Sequence, residues 1–274
     1  MILSPAPGAR SVMISTFEGM LLAGSKISAS MGTSVKVEVR ACPNPGSSMV
    51  PDLRSDVAHI WTRPLGVPTE MKEACFALLS QEERERAARY RVERPRTDFI
   101  VTRGTLRSLV AGYLGMAPHE MSFGYSQYGK PHIDGPFDLR FNVSHTDGLA
   151  LLGFVRTRAI GVDVEKITPS PDARKLAERF FSVRERESLG NLSGDELRAA
   201  FFRCWTRKEA YVKARGEGLS LPLHQFDVSV AADESHALLA TRPDSSEAGR
   251  WILRDLPAES GYAAALAVAE TNGD

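Results

Sequence analysis

The feature that most constrains the fold of this chain is a helix-start signal that occurs twice. Ser80 and Ser182 each stand three residues before a glutamate, Glu83 or Glu185, which is the spacing of a capping box. The two serines are 102 residues apart. The same offset places Phe99 opposite Phe201, Arg103 opposite Trp205 and Arg107 opposite Glu209. A repeated signal of this kind predicts two similar α/β halves.

Composition limits the functions that the chain can have. Of its 274 residues, 43% are hydrophobic and 25% are charged, as expected of a globular protein with one large domain or two smaller ones. The 34 basic residues balance 34 acidic ones, so we expect no nucleic-acid binding and no attraction to an anionic membrane. No apolar run reaches the length of a membrane span. Three scattered cysteines favour a reducing cytoplasm over a disulfide framework.

The chain is predicted to consist of three segments. Residues 1–56 are rich in Ser, Gly, Pro and Ala, and we expect a flexible leader with one possible strand at 35–39. Residues 57–156 and 157–274 are the predicted N-terminal and C-terminal halves. Each half is expected to pack a long helix, at 99–113 or around Trp205, on a small antiparallel sheet. Strands are predicted at 149–154, 160–165 and 262–269.

The first candidate site motif lies in one of these strands. Between residues 160 and 165, apolar residues alternate with Gly161, Asp163 and Glu165, so the two carboxylates are predicted to share one face. Adjacent carboxylates repel each other unless a cation lies between them, and a hard metal ion suits such a pair. Taken alone, the pattern also fits an exposed strand face that carries two acids by chance.

The second motif lies in a helical pattern. Trp205, Lys208, Glu209, Val212 and Lys213 have the i, i+3, i+4, i+7, i+8 spacing of one helix stripe. An ordinary amphipathic helix turns its charges to water, so a stripe that mixes apolar and charged residues indicates a helix edge lining a cleft. The alternative is a surface ion pair between Glu209 and Lys213, worth roughly a few tenths of a kcal/mol.

Together the two motifs resemble those of the 4'-phosphopantetheinyl transferases, of the large type that activates surfactin synthetase. Members carry a G-[IV]-D-[IV]-E strand, a W-[ST]-x-K-E-[AS]-x-x-K helix and a G-x-G-L element, which correspond here to residues 161–165, 205–213 and 216–219. Upstream, residues 129–131 and 141–145 resemble the family's G-K-P and F-N-x-S-H elements. The resemblance covers roughly residues 58–270. It implies an α+β pseudodimer of two similar halves, with the active site at their junction.

The resemblance also implies a reaction and its participants. It implies an enzyme of the holo-(acyl-carrier-protein) synthase type, which transfers the 4'-phosphopantetheine arm of coenzyme A to a serine hydroxyl of an apo carrier protein and releases 3',5'-ADP. The carrier would serve fatty-acid, polyketide or nonribosomal peptide synthesis. The implied cofactor is Mg²⁺, or Mn²⁺ in its place. The implied partners are coenzyme A and carrier proteins, and the enzyme is expected to be a monomer. By position in the family, the expected carrier-protein surface is residues 167–176 with the pair Phe180 and Phe181.

Residue roles follow from the same resemblance, position by position. Asp163, Glu165 and Glu209 would hold the metal, and Glu209, Lys213 and Asp163 would form the catalytic group. Glu209 could be a ligand alone or could also accept the serine proton. The coenzyme A contacts would be Lys130, Pro131, Ser144, His145 and Lys213. Relatives often carry basic residues where Glu82 and Glu83 stand here, so Arg84 and Arg86 are the candidates in their place. Relatives also often place an Arg or His for the nucleotide near position 96, where Arg96 and Arg103 are the candidates.

Two other functions are compatible with parts of this pattern. An inactive carrier-protein-binding module of the same fold would be expected to have lost one of Asp163, Glu165, Glu209 and Lys213, and all four are present. A Mg²⁺-dependent nucleotide or pyrophosphate hydrolase also clusters carboxylates. A nuclease of that kind should carry a basic groove with aromatic residues, which the neutral charge balance disfavours. The transferase is therefore the preferred prediction.

Overall fold

Two successive stretches of the chain have the same order of secondary-structure elements. A computed structural model describes residues 35–47, 50–169, 172–232, 234 and 236–270. In each stretch a strand leads into three helices, the third of them long, and then into a short hairpin and two longer strands. This order confirms the prediction of two similar halves.

The first half follows an additional strand, β1 (Lys36–Ala41). Its elements are β2 (Val57–Pro64), α1 (Thr69–Ala77), α2 (Gln81–Ala88), α3 (Glu93–Leu114), β3 (Phe123–Tyr125), β4 (Pro131–Ile133), β5 (Leu139–Thr146) and β6 (Leu149–Arg156).

The second half repeats this order in the remaining described residues. Its elements are β7 (Ile160–Lys166), α4 (Ala173–Phe180), α5 (Val183–Gly190), α6 (Gly194–Arg215), β8 (Phe226–Val228), β9 (Leu238–Thr241), β10 (Trp251–Asp255) and β11 (Tyr262–Ala269). The strands predicted at 149–154, 160–165 and 262–269 are thereby confirmed as β6, β7 and β11.

The two main sheets have matching strand orders. One sheet runs β1-β2-β6-β5 and the other runs β10-β11-β7, so β2-β6-β5 corresponds to β7-β11-β10. All the pairs within these sheets are antiparallel except β1 with β2, which is parallel. Each half therefore contributes a three-stranded antiparallel unit, and β1 is an addition at one edge.

The two long helices cover these sheets. Leu106, Leu109 and Val110 of α3 pack in one core with Trp61 of β2 and Phe154 of β6. Helix α6 packs on β7 and β11. Within the part of the chain that the structure describes, no helix combines the length and the hydropathy needed to cross a bilayer.

Both predicted capping boxes form. Ser80 Oγ accepts from the Glu83 amide at 3.3 Å, and Glu83 Oε2 accepts from the Ser80 amide at 2.9 Å. The Ser182–Glu185 pair repeats this geometry, at 3.4 and 2.9 Å. Each glutamate also pairs with a cation of the long helix in its own half, Glu83 with Arg107 and Glu185 with Lys208. Each box therefore both starts a short helix and ties it to the long one.

The offset between the long helices is one residue smaller than predicted. Helices α3 and α6 are both 22 residues long and end at left-handed glycines, Gly115 and Gly216, which are 101 residues apart. The prediction that Arg107 lies opposite Glu209 is therefore wrong, because Arg107 and Lys208 make the equivalent ion pairs. The predicted counterparts of Phe99 and Arg103 in the second half are also wrong by one residue. The cause is a connection before α6 that is one residue shorter than the one before α3.

The expected flexible leader is partly wrong. Residues 1–34 lie outside the described residues, but β1 pairs with β2 from Lys36 opposite Val57 to Ala41 opposite Thr62. Val35 and Leu53 are 4% and 3% exposed. The alternating valines of this segment pack in a core with β6, β7 and β11. The strand predicted at 35–39 is confirmed, and it belongs to the sheet.

Candidate active site

The two predicted metal carboxylates lie on β7, where this strand passes between β5 and α6. Helix α6 approaches β7 very closely at Gly161, because a Cβ atom there would lie 2.1 Å from the Ala210 carbonyl oxygen. Only a glycine permits this approach. It brings Glu209, the neighbour of Ala210, to the same region as Asp163 and Glu165.

Strands β5 and β7 are joined by side chains, although they belong to different sheets. Asn142 Oδ1 accepts from the Val162 amide at 2.9 Å, and Ser144 Oγ accepts from the Val164 amide at 3.4 Å. Thr146 Oγ1 accepts from the Lys166 amide at 3.3 Å. Every second residue of β5 thus supplies the oxygen that a backbone carbonyl would supply in a sheet. We call Asn142, Ser144 and Thr146 the β5 ladder.

Asp163 lies at the centre of a buried polar cluster. Its Oδ1 accepts from Ser144 Oγ at 2.8 Å and from Lys213 Nζ at 2.5 Å. Lys213 Nζ also donates to Ser144 Oγ at 2.9 Å. The second oxygen, Asp163 Oδ2, is buried and has no hydrogen-bond partner in the part of the chain that the structure describes. A buried unpartnered carboxylate oxygen is costly, so this atom marks a place where a ligand would be stabilised.

Burial and the negative charge of Asp163 disfavour the ionised forms of its two neighbouring carboxylates, Glu165 and Glu209. Burial, followed by the negative charge of Asp163, raises the pKa of Glu165, and the nearby Glu209 adds to the effect. Burial, followed again by Asp163, raises the pKa of Glu209. Lys213 opposes both shifts. A cation placed among the three carboxylates would relieve this repulsion.

The donor set suits a divalent cation such as Mg²⁺. It consists of carboxylate oxygens, which are the ligands that this ion prefers, and Asp163 Oδ2 is the orphaned acceptor that a cation would satisfy. As they stand, no three His, Cys, Asp or Glu side chains among the described residues are close enough to hold a metal. Lys213 instead supplies the positive charge that compensates Asp163.

A cavity of about 740 Å³ lies between α3 and the end of β5. Arg86, Arg94, Arg103 and His145 line it, together with two carboxylates, Asp98 and Asp147. Tyr90, Phe99 and Tyr125 contribute aromatic walls. We call this space the basic compartment. Its size, its cations and its flat rings suit a nucleotide with phosphate groups.

An apolar cavity of about 670 Å³ lies beside Glu209 and Lys213. We call it the apolar compartment. Its walls include Tyr128, Phe180, Trp205, Val212 and Leu221. Glu209 and Lys213 are also among its lining residues, whereas Asp163 and Glu165 are not. The two compartments share Pro131 and Val143 as a common boundary, so they form neighbouring parts of one cleft.

The predicted coenzyme A residues divide between these surroundings. His145 and Pro131 line the basic compartment, as a nucleotide contact would. Desolvation lowers the pKa of His145, and the Asp98 carboxylate opposes that shift. Ser144 is 5% exposed and does not line the basic compartment, because its hydroxyl is held by Asp163, Lys213 and β7.

The Lys130 ammonium, predicted to contact coenzyme A, is held by two backbone carbonyls in this structure. Its Nζ donates to the Ile160 and Ala214 carbonyl oxygens, both at 3.0 Å. Burial lowers the pKa of Lys130 to about 8, and no described carboxylate pairs with it. Lys130 therefore links a loop of the first half to β7 and to the end of α6, while the body of its side chain lines the apolar compartment.

The predicted arginines are only partly in place. Arg86 and Arg103 line the basic compartment, but Arg84 and Arg96 do not. Arg84 donates to the Ala77 carbonyl at 3.0 Å, and Arg96 lines a separate small cavity beside Lys72. Arg84 and Arg86 point in different directions because they are two residues apart on α2.

Sequence reasoning missed Arg94, which does line the basic compartment. Arg94 pairs with Asp147 in the turn after β5. Arg103 is held by Glu83 and lies over the Phe123 ring, with 4.2 Å to its centroid. Arg86 lies over Phe99 at 5.0 Å and has no carboxylate partner among the described residues. Arg86 is thus the guanidinium most available to an anionic ligand.

Two further expectations are revised by burial. Lys208, which the motif places beside Glu209, is fully buried and pairs with Glu185 at 2.7 Å, so it orients a structural carboxylate. Phe181, expected on a carrier-protein surface with Phe180, is 2% exposed and stacks on Phe201 in the core. Phe180 does line the apolar compartment. Of the expected carrier surface at 167–176, residues 170 and 171 lie outside the described residues.

Comparisons with known proteins agree with the two halves. The profile of the 4'-phosphopantetheinyl transferase superfamily matches residues 159–267, and that of the "4'-phosphopantetheinyl transferase, N-terminal" region matches 67–154. The chain is 39% identical over 220 residues to the 4'-phosphopantetheinyl transferase HetI of Nostoc sp., which covers 79% of this chain and 90% of that protein.

A second curated relative shows the same likeness. A 4'-phosphopantetheinyl transferase of Bacillus subtilis is 32% identical over 207 residues, which is 76% of this chain and 88% of that protein. The crystal structure of a holo-(acyl-carrier-protein) synthase from Bacillus anthracis in complex with CoA matches with a TM-score of 0.33 and 24% identity. That match covers 42% of this chain and 96% of the other.

Proposed function

Because this chain belongs to the 4'-phosphopantetheinyl transferase superfamily, we propose that it transfers the 4'-phosphopantetheine arm of coenzyme A to a serine hydroxyl of an apo carrier protein. The observation that carries this proposal is the divided cleft. A compartment lined by arginines and a histidine adjoins an apolar compartment that Glu209 and Lys213 line, and the two share Pro131 and Val143 as their boundary.

The compartments suggest how the substrates bind. The 3',5'-ADP part of coenzyme A carries the phosphates and the flat base, so we place it in the basic compartment, against Arg86 and His145. The pantetheine arm and the incoming carrier serine then enter through the apolar compartment. The pyrophosphate lies between them, within reach of Lys213, which lines the apolar compartment beside Glu209.

The transfer requires one bond to form and one to break. The serine oxygen bonds to the β-phosphorus of coenzyme A, the bond from that phosphorus to the bridging oxygen breaks, and 3',5'-ADP leaves with the electron pair. Glu209 accepts the serine proton. Of the three carboxylates it is the one that lines the apolar compartment, and its raised pKa favours proton uptake.

The remaining charged residues act on the pyrophosphate. Lys213 donates to its oxygens and stabilises the charge that builds up on the leaving group. A Mg²⁺ ion held by Asp163, Glu165 and Glu209 would supply Lewis-acid stabilisation of the same charge. Asp163 and Glu165 are fixed on β7, whereas Glu209 comes from α6.

The chain supplies both halves of the proposed site, so we propose that it acts as a monomer. We also propose a cytoplasmic location. Cys42, Cys75 and Cys204 are all free thiols, which suits a reducing compartment.

The proposal is tested by intact-mass measurement of an apo carrier protein incubated with this enzyme, coenzyme A and Mg²⁺. We expect the carrier to gain the mass of one phosphopantetheine arm. A carrier with its acceptor serine changed to alanine should gain nothing, and Glu209→Gln should abolish transfer while the protein stays folded. Absence of any mass gain across a panel of fatty-acid, polyketide and peptide carriers would refute the proposal.

The same assay separates the transferase from a hydrolase. A pyrophosphate hydrolase would release 3',5'-ADP from coenzyme A in the absence of any carrier. We expect release of 3',5'-ADP to require the apo carrier and to match its mass gain mole for mole.

A further inference from the structure

We propose that Thr146 is a positioning residue, whose hydroxyl turns the Glu165 carboxylate so that one of its oxygens faces a divalent cation. This inference rests on the proposed function, because it takes the carboxylate cluster to be a cation site.

The first argument is the place of Thr146 in the β5 ladder. Its Oγ1 accepts from the Lys166 amide at 3.3 Å, on the edge of β7. The same oxygen lies 3.2 Å from Glu165 Oε2, to which it donates. Lys166 and Glu165 are adjacent on β7, so one hydroxyl holds both the strand backbone and the carboxylate that the strand carries.

The second argument is the single proton of a hydroxyl group. The Lys166 N–H already supplies a proton to Thr146 Oγ1, so the threonine's own proton is available for an acceptor. The Glu165 carboxylate is that acceptor, through Oε2. The other oxygen, Oε1, makes no hydrogen bond within the described residues and is available for a cation.

The third argument is that the arrangement occurs twice. Ser144 Oγ accepts from the Val164 amide and donates to Asp163 Oδ1 at 2.8 Å, leaving Asp163 Oδ2 orphaned. In both cases a ladder hydroxyl occupies one carboxylate oxygen and leaves the other without a partner. Asn142 completes the ladder but meets no carboxylate, so joining the strands does not by itself require a hydroxyl.

The consequence is that one set of hydrogen bonds does two things. The β5 ladder attaches the second half to the first, and its hydroxyls orient the carboxylates at that junction. Groups that orient ligands in this way contribute substantially to metal affinity, because a carboxylate free to rotate loses entropy when it binds.

The test is Mn²⁺ binding to the full chain without coenzyme A, measured by electron paramagnetic resonance. Thr146→Val keeps the shape of the side chain but removes the hydroxyl, and Mn²⁺ affinity should fall roughly 10- to 100-fold. Thr146→Ser should restore affinity. Thr62→Val is the control, because Thr62 is a strand residue of the same sheet that donates to the Arg40 carbonyl. It should bind Mn²⁺ like the unmodified protein.

A double-mutant cycle with Glu165→Gln distinguishes positioning from a general loss of structure. If Thr146 acts through Glu165, Thr146→Val should have little further effect in the Glu165→Gln background. An equal loss in both backgrounds overturns the proposal, as does a Thr146→Val affinity within twofold of the unmodified protein. Thr146→Ala provides a second hydroxyl deletion without added bulk, and it must show the same pattern.

The experiment also separates this inference from the proposed function. If the unmodified protein does not bind Mn²⁺, the cation site itself is refuted, and this inference with it. If the unmodified protein binds Mn²⁺ and the Thr146 variants bind equally well, only the positioning role is refuted.

Discussion

Lys208 and Lys213 lie on the same helix within the same motif, and we predict opposite consequences when each is changed to methionine. Lys208 is fully buried, and its Nζ donates to Glu185 at 2.7 Å and to the Leu223 and Phe226 carbonyls at 2.7 and 2.8 Å. The Lys213 side chain is 29% exposed and lines the apolar compartment. Lys208→Met should therefore reduce stability, whereas Lys213→Met should reduce transfer.

The size of the Lys208 effect follows from what the substitution leaves behind. The Glu185 side chain is fully buried and would lose the one cation that pairs with it among the described residues, although it would still accept from the Ser182 and Val228 amides. Breaking a buried ion pair in this way costs about 3–5 kcal/mol of the free energy of unfolding. For a protein of this size that cost lowers Tm by roughly 6–20 °C.

Two measurements on each variant test whether the substitution affects stability or transfer. Urea unfolding followed by circular dichroism gives the free energy of unfolding, and intact-mass kinetics at low temperature give the transfer rate of the folded fraction. The matched comparison is Arg107→Met, which leaves Glu83 without its buried guanidinium in the other half, where Arg103 still pairs with that carboxylate. Its loss of stability should be smaller than that of Lys208→Met.

The reasoning would be refuted by the reverse result. If Lys208→Met unfolds within about 1 kcal/mol of the unmodified protein and yet transfers at least about tenfold more slowly, Lys208 acts on the substrate. If Lys213→Met instead transfers at an unchanged rate, Lys213 has no part in the site.

Two further predictions concern the junction of the halves. Burial lowers the Lys130 pKa from 10.5 to about 8, so between these pH values the folded state binds fewer protons than the unfolded state. The free energy of unfolding should therefore rise by about 1–3 kcal/mol between these pH values. Urea titrations of Lys130→Met should lack this rise. Identical pH profiles for Lys130→Met and the unmodified protein would contradict the prediction. The substitution Gly161→Ala would place a Cβ atom 2.1 Å from the Ala210 carbonyl oxygen and push α6 away from β7. It should lower the free energy of unfolding by about 1–3 kcal/mol and weaken Mn²⁺ binding. Gly190→Ala, which meets nothing within 4 Å, is its control, and equal stability of the two variants would contradict the close approach.

Much of the fold could be predicted from local patterns. Three features can be predicted from the sequence because capping and periodicity depend on neighbouring residues. They are the two Ser-x-x-Glu capping boxes, the alternation that forms β7 and the helix that ends at Gly216. The family resemblance can also be identified from the sequence, since its motifs are short and continuous along the chain. Even β1 was visible as an alternation, although its place in the sheet was not.

Tertiary structure decided what each charged side chain does. Lys208 and Lys213 are indistinguishable in the motif, but α6 turns one towards Glu185 and the other towards Asp163. Lys130 meets the Ile160 and Ala214 carbonyls, and Arg94 replaces Arg84 and Arg96 in the basic compartment. These partners are distant in sequence, so their meeting depends on how helices and sheets pack.

The sequence by itself therefore determined the repeated elements, the carboxylates on β7 and the family. The tertiary structure alone decided the 101-residue register of the long helices and the β5 ladder that joins the two halves. The physical reason is that local conformation is set by residues a few positions apart. The environment of a charge, in contrast, is set by the segments that burial brings against it, and no local pattern encodes those segments.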